Sequence, residues 1–207
     1  MSAVERPVNH HGDHPGFCGL TGDLFAVLFL LAGRRTAVLA ADLTDITAGD
    51  HVVDIGCGPG NGARTAAARG ARVTGVDPSD SMLRVARAVT RGRPAITWAQ
   101  GTAEVLPVPD ASATVVWALA TVHHWRDVSL ALAEIHRVLV PGGRLLAVER
   151  QVAPDATGFA SHGWTEQQAR TFAALSDTAG LGDATVDVAR AGRREVWTVT
   201  ATRRPAV

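Results

Sequence analysis

The 207-residue sequence contains no lysine, so all 20 of its basic side chains are arginine. This absence excludes a Schiff base to pyridoxal phosphate or to a carbonyl substrate, and it also excludes the lysine of a phosphate-binding P-loop. Tyrosine is missing as well. A tyrosine general acid, as used by many short-chain nicotinamide dehydrogenases, is therefore excluded too.

The net charge is zero, and cysteine is sparse. The 20 basic side chains are balanced by 20 acidic ones, and this balance gives no broad basic surface, so we expect no nucleic-acid partner. Cys18 and Cys57 are too few for a disulfide framework and too far apart for a zinc cluster. We expect a reducing, cytoplasmic location and no metal site.

Long apolar runs are also absent. The most apolar stretch, residues 24–32, has under half of the roughly 20 residues that span a bilayer. The residues before it lack the positive start of a signal peptide. We interpret the stretch as a buried helix and expect no membrane partner.

From residue 51 onward, short apolar strands alternate with helices. We predict a Rossmann-like α/β fold: a seven-stranded, mostly parallel sheet with helices on both faces and a C-terminal antiparallel strand pair. Ligands of such sheets bind at the carboxyl ends of the strands. The predicted strands are 52–55, 71–76, 95–99, 113–119, 144–149, 184–189 and 195–202, and the predicted helices are 63–68, 79–91, 128–139 and 165–179, the third of them ended by Pro141-Gly142-Gly143.

A glycine loop follows the first strand in the stretch VVDIGCGPGNG, residues 52–62. Its alternating glycines, Gly56, Gly58 and Gly60, let a ligand approach the backbone. Asp77 ends the second strand, where an acid would hydrogen-bond the ribose hydroxyls of a nucleotide. The loop and the acid together predict a nucleoside cofactor.

Asp54 indicates which nucleoside cofactor it is. A carboxylate two residues before Gly56 would repel the pyrophosphate of a dinucleotide, and Asn61 takes the place of the third small residue in the dinucleotide fingerprint. The same carboxylate favours a cofactor tail with a cationic amine beside a sulfonium. This points to S-adenosylmethionine, with S-adenosylhomocysteine as the product.

Four sequence blocks resemble the class I S-adenosylmethionine-dependent methyltransferases, in particular the small-molecule type similar to the ubiquinone and menaquinone biosynthesis methyltransferases. The blocks are VVDIGCGPGNG, VTGVDPSDSML, GTAEVLPVPDAS, and VHHWRD with EIHRVLVPGGRLLAVE, and they span residues 52–149 in the family's order and spacing. The resemblance is specific to fold and cofactor and leaves the acceptor open.

The resemblance implies a set of cofactor contacts. Asp54, Gly56 and Gly58 would hold the methionine part, and Asp77 the ribose. Pro78 and Met82 would flank the adenine. Thr102 stands where the family often has an acid, so its hydroxyl would accept the adenine amino hydrogen bond more weakly, beside the amide of Ala103. The remaining predicted cofactor contacts are Gly60, Ala118 and His123.

His123 and His124 follow the fourth strand, where the cofactor's methyl group should lie. Either could be a general base, or both could only shape the pocket while positioning alone drives transfer. The predicted substrate-lining residues are His14, Phe17, Trp125, Glu149 and Trp164. Three interpretations remain open for the arm with His10, His11, Asp13 and His14. It could be a metal-binding cluster, a lid over the substrate or a tag-like tail.

We predict an irregular arm at residues 1–22 and one domain at 23–207, with a helical segment at 23–46, a cofactor-binding core at 50–150, and a C-terminal helix and strand pair at 164–203. The predicted function is methyl transfer to an O, N or C atom of a small, apolar or aromatic metabolite by a monomer or homodimer. The alternative is a non-methylating binder of the same cofactor, and a nicotinamide oxidoreductase is disfavoured by Asp54.

Overall fold

The computed structural model describes residues 7–12, 33–92 and 95–205. The predicted helix at 24–32 and the predicted substrate contacts His14 and Phe17 lie outside the described residues, and they stay predictions. No helix among the described residues has the length and apolar character needed to cross a membrane.

One sheet of seven strands organises the described chain, in the order β3-β2-β1-β4-β5-β7-β6. The pairings among β1 to β5 are parallel, and β7 runs antiparallel to both β5 and β6. The predicted fold class is confirmed. The strands are β1 (His51–Ile55), β2 (Arg72–Asp77), β3 (Ile96–Gln100), β4 (Ala113–Leu119), β5 (Leu139–Arg150), β6 (Leu181–Ala191) and β7 (Arg194–Arg203).

Helices cover both faces of this sheet. Each face has its own buried cluster of apolar side chains. One cluster packs the helices at 128–138 and 166–178 against the sheet, and the other packs the helices at 34–43 and 61–68 against it. Every residue of β1 is buried, as expected for a central parallel strand covered on both sides. The helices are α1 (Arg34–Leu43), α2 (Asn61–Ala68), α3 (Asp80–Val89), α4 (Val128–Val138) and α5 (Glu166–Thr178), with 3-10 turns at Val122–His124 and Gly158–Ser161.

One predicted boundary is wrong. Pro141-Gly142-Gly143 does not end the helix predicted at 128–139, because the observed helix already ends at Val138 and β5 begins at Leu139. Leu139 pairs with Ala113, and the register between β4 and β5 then shifts before the next pair. The proline and glycines therefore form an irregularity inside a strand.

The segments that follow the parallel strands meet at one edge of the sheet. The glycine loop follows β1, the start of α3 follows β2, the 3-10 turn Val122–His124 follows β4, and the link 151–165 follows β5. Residues 7–12 also lie at this edge, where the Asn9 amide donates to the carbonyls of Trp125 and Arg126. This is the edge at which parallel α/β sheets bind ligands.

Candidate functional site

The glycine loop has the backbone that only glycine adopts without strain. Gly56, Gly58 and Gly60 have φ angles of 63°, 51° and 87°, all in the left-handed region. A Cβ on Gly56 would lie 2.1 Å from Thr121 Oγ1, and one on Gly60 would lie 2.4 Å from the Trp98 ring. A Cβ on Gly58 would meet no heavy atom of the described residues within 4 Å. Gly56 and Gly60 are thus required by packing, whereas Gly58 borders open space.

Asp54 lies buried directly beneath this loop, with 2% of its surface exposed. Its Oδ2 accepts a hydrogen bond from Ala63 N–H at 2.9 Å. Burial raises the pKa of Asp54 to about 7; the Ala63 hydrogen bond opposes this rise and the charge of Asp77 adds to it. A cation placed beside this carboxyl would therefore stabilise its ionised form.

Asp77 joins the end of β2 to the loop. Its carboxylate accepts hydrogen bonds from Gly58 N–H and Ser79 N–H, both at 2.8 Å. Burial raises the pKa of Asp77, and these two hydrogen bonds oppose the rise. Each carboxylate oxygen has a second lone pair, so the side chain can hold the loop and still accept from a hydroxyl group.

The residues expected around the adenine lie near one another beyond Asp77. Pro78 is exposed, and its carbonyl accepts from the Gln100 amide, while Met82 is buried in α3. Thr102 is exposed and Ala103 is buried. The expected contact at Ala118 is different, because this residue is fully buried in the core within β4.

His123 and Glu149 form a buried pair at the ends of β4 and β5. Nδ1 of His123 lies 2.9 Å from Glu149 Oε2, and Glu149 Oε1 accepts from Val122 N–H at 2.9 Å. With Glu149 as a carboxylate, Nδ1 carries the imidazole proton and Nε2 carries a lone pair. Among the described residues, Nε2 has no hydrogen-bond partner, although it is buried.

Other imidazoles surround His123. Ring centroids lie 4.1 Å away at His124, 5.3 Å at His162, 5.8 Å at His11 and 6.2 Å at His10. Burial, together with the charges of the neighbouring histidines, lowers the pKa of His124 to about 3. We call these five residues the histidine cluster. It brings five imidazoles together at the position where the sequence predicted only His123 and His124.

Three of the predicted substrate-lining residues, Trp125, Glu149 and Trp164, are buried. Trp164 is fully buried, donates through Nε1 to the Val8 carbonyl and packs against Phe172. Trp125 is 5% exposed and contacts the same phenylalanine. Glu149 lies beneath His123 with 1% of its surface exposed. These three residues support the edge from within the core and do not form an open pocket wall.

Sequence reasoning missed His162, Thr121 and Trp98. His162 is in the link after β5, and His123 is in the turn after β4. Because β4 and β5 are neighbours in the sheet, these two positions were the signal that His162 approaches His123. Thr121 packs on Gly56 and connects the glycine loop to the histidine cluster. Trp98 packs against Gly60 and Gly75, and nothing in the sequence marked it.

A sheet of this order, with a glycine loop after β1 and an acid ending β2, defines a Rossmann-like protein that binds a nucleoside cofactor. Residues 53–147 match the family described as "Methyltransferase domain". These residues therefore form a methyltransferase domain, and the match confirms the resemblance and S-adenosylmethionine as the predicted cofactor.

Curated relatives agree with this assignment. The chain is 44% identical over 102 residues to the ubiquinone/menaquinone biosynthesis C-methyltransferase of Rubrivivax gelatinosus, covering 49% of this chain and 40% of the relative. It is 41% identical over 144 residues to the malonyl-[acyl-carrier protein] O-methyltransferase of Erwinia billingiae, covering 70% of this chain and 50% of the relative. The chain spans about half the length of such relatives.

Among solved structures, the [4+2]-cyclase SpnF is similar over 98% of both chains, with a TM-score of 0.71 and 19% identity. This likeness shows the fold alone.

Proposed function

We propose that the protein transfers a methyl group from S-adenosylmethionine to an O, N or C atom of a small, apolar or aromatic acceptor. The observation that carries this proposal is the buried Asp54 carboxyl beneath the open backbone of Gly58. Asp54 forms no ion pair with a described residue. The ammonium group of the cofactor supplies the missing cation.

Different residues of the chain bind different parts of the cofactor. Asp54 attracts the ammonium group, Gly58 lets the methionine part approach the backbone, and Asp77 accepts from the ribose hydroxyls while it holds the loop. When bound, the cofactor supplies a methyl group whose bond to sulfur breaks as its bond to the acceptor forms, with the bonding electron pair passing to sulfur. Such a displacement depends mainly on positioning.

The histidine cluster is placed to receive the acceptor. His162 stacks on Phe159, with ring centroids 5.9 Å apart and planes inclined by 20°, and Phe159 is 83% exposed. An exposed phenylalanine beside imidazole rings favours an apolar or aromatic acceptor. The relative with a ubiquinone/menaquinone biosynthesis name supports a small acceptor. We propose that the lone pair on His123 Nε2 activates it.

A non-methylating binder is the second candidate, because a cyclase shares this fold over 98% of both chains. The test is incubation with methyl-labelled S-adenosylmethionine and a panel of quinols, phenols and carboxylic acids. We expect S-adenosylhomocysteine and a labelled product to form in equal amounts. Cofactor binding without turnover across the panel would contradict methyl transfer and favour the binder.

A further inference from the structure

His123 has a buried lone pair that the described part of the chain does not use. Glu149 fixes the proton on Nδ1, so Nε2 faces the cluster as an acceptor, and it is buried without a hydrogen-bond partner among the described residues. A buried acceptor left unsatisfied costs on the order of 1–3 kcal/mol. Such a group in a native protein calls for a ligand.

Two further imidazoles converge on the same space. His123, His124 and His162 each offer one ring nitrogen, and these three atoms lie within 4.8 Å of one another. The residues come from the turn after β4 and from the link after β5, so the fold brings together side chains that are distant in sequence. Neutral imidazole is the form that binds a transition metal.

The hydrogen bond of His123 to Glu149 also fits a metal centre. Histidines that bind a metal commonly donate their other ring N–H to a carboxylate, which fixes the tautomer and the ring orientation. Glu149 makes this contact with His123 at 2.9 Å while it accepts from Val122 N–H. The main-chain carbonyl of His162 accepts from Arg150 Nε, so its backbone is held independently of its imidazole.

From this geometry we propose that His123, His124 and His162 bind one divalent transition-metal ion of the zinc type, His123 through Nε2. Tetrahedral zinc with bonds of about 2.0–2.1 Å places its nitrogen ligands about 3.3 Å apart, so binding would draw the three imidazoles closer together. Three histidine ligands leave a fourth position open, as in catalytic zinc sites. No metal site is expected from the sequence alone, because nothing in it places His162 beside His123.

This proposal does not depend on methyl transfer. It assigns the His123 lone pair to an ion, and an acceptor bound at the open position would then be activated by that ion. If the protein turns over but does not bind Co²⁺, the metal proposal fails and the methyltransferase proposal stands. If the ion binds and no methyl transfer occurs, the metal proposal stands and the methyltransferase proposal fails.

The test is a titration of tag-free, full-length protein, treated with a chelator, with Co²⁺ as the probe. We expect one Co²⁺ per chain, visible absorption bands of a four- or five-coordinate nitrogen site, and displacement by Zn²⁺. His162→Ala should weaken binding at least about 100-fold, because it removes one of three ligands. Glu149→Gln should weaken it about 10- to 100-fold.

His136→Ala is the matched control, because His136 lies in the last turn of α4, outside the cluster. We expect it to leave Co²⁺ binding unchanged, and circular dichroism shows whether each variant is folded. Failure to bind at millimolar Co²⁺ would overturn the proposal. Equal binding by wild type and a folded His162→Ala variant would also overturn it, as would loss of binding only in a His10→Ala/His11→Ala variant.

Discussion

The two halves of the ligand-binding edge are built in opposite ways. The half at β1 and β2 consists of carboxylates and glycines that lie within one short stretch of sequence. The half at β4 and β5 consists of imidazoles from three separate segments, with a carboxylate beneath them. We propose that the first half attracts a cation and that the second offers a lone pair. Thr121, packed on Gly56, joins the two halves.

This contrast has an electrostatic cause. Asp54 is buried with one main-chain hydrogen bond and no described cation, so its ionised form is poorly stabilised in the ligand-free protein. Glu149 is equally buried, but it accepts from both His123 and Val122. The first half therefore depends on its ligand to stabilise the Asp54 carboxylate, whereas the second half stabilises the Glu149 carboxylate with its own hydrogen bonds.

The largest expected effect is a loss of ligand affinity in the first half that is not accompanied by a loss of stability. Asp54→Asn should weaken S-adenosylhomocysteine binding about 100-fold, since it removes a buried charge partner. The pKa of Asp54 is raised from its ordinary value of 3.8 to about 7. As the pH rises between these two values, the folded protein loses stability, because the carboxyl ionises more readily in the unfolded chain. The ligand-free variant should therefore be more stable at about pH 8, on the order of 1–3 kcal/mol.

Calorimetry and urea unfolding measure these two quantities for Asp54→Asn, with the exposed Asp187→Asn as control. A variant that loses both affinity and stability would show that Asp54 is a structural residue and not a cation-binding one.

The second half should respond to Glu149→Gln. The glutamine amide would donate to His123 Nδ1, so the imidazole proton would move to Nε2 and the lone pair there would be lost. We expect turnover to fall about 100-fold, with cofactor affinity within about twofold of wild type. The imidazole ¹⁵N shifts report the tautomer directly. An unchanged tautomer together with lost turnover would contradict this role.

Two glycines provide a matched pair. Gly58 and Gly142 both have positive φ, and for both no described heavy atom lies within 4 Å of an added Cβ. Alanine at either position should cost about 1 kcal/mol of stability. Only Gly58→Ala should also weaken cofactor binding, about tenfold, because its Cβ enters the space assigned to the ligand. Calorimetry and thermal unfolding of both variants test this. Equal cofactor affinities of the two variants would show that the ligand does not occupy the space beside Gly58.

Cofactor affinity should also depend on pH. A cationic ligand favours ionised Asp54, so the pKa of that carboxyl, about 7 in the free protein, falls in the complex. Affinity is then full above pH 7 and decreases as the pH falls below it. Between about pH 7.5 and pH 6, S-adenosylhomocysteine should bind about tenfold more weakly, and calorimetry of Asp54→Asn should show no such change. A flat wild-type profile would contradict the assigned role of Asp54.

The smallest expected effect concerns the adenine. Thr102→Asp should tighten cofactor binding about threefold, because a carboxylate accepts the adenine amino hydrogen bond more strongly than a hydroxyl. The Thr102 hydroxyl also hydrogen-bonds Glu104, so the substitution adds a like charge and should lower stability slightly. Equal or weaker affinity by calorimetry would count against placing adenine beside Thr102.

The sequence predicted the fold and the first half well because their signals are local. β-branched runs marked the strands, and Asp54, Asp77 and the glycines stand within one contiguous stretch. The second half depends on tertiary proximity. His162 is 39 positions after His123, and only the pairing of β4 with β5 brings the segments together. Trp125 and Trp164 were placed at the pocket because they follow strands, yet their large apolar surfaces are buried against Phe172.

The central claim is that one edge holds the cofactor beside the glycine loop and presents its sulfur to the histidine cluster. A crystal structure of the protein with S-adenosylhomocysteine tests this most directly. We predict its ammonium group against Asp54, its ribose against Asp77 and its sulfur facing His123. A ligand bound elsewhere, or a sulfur directed away from His123, would contradict the account.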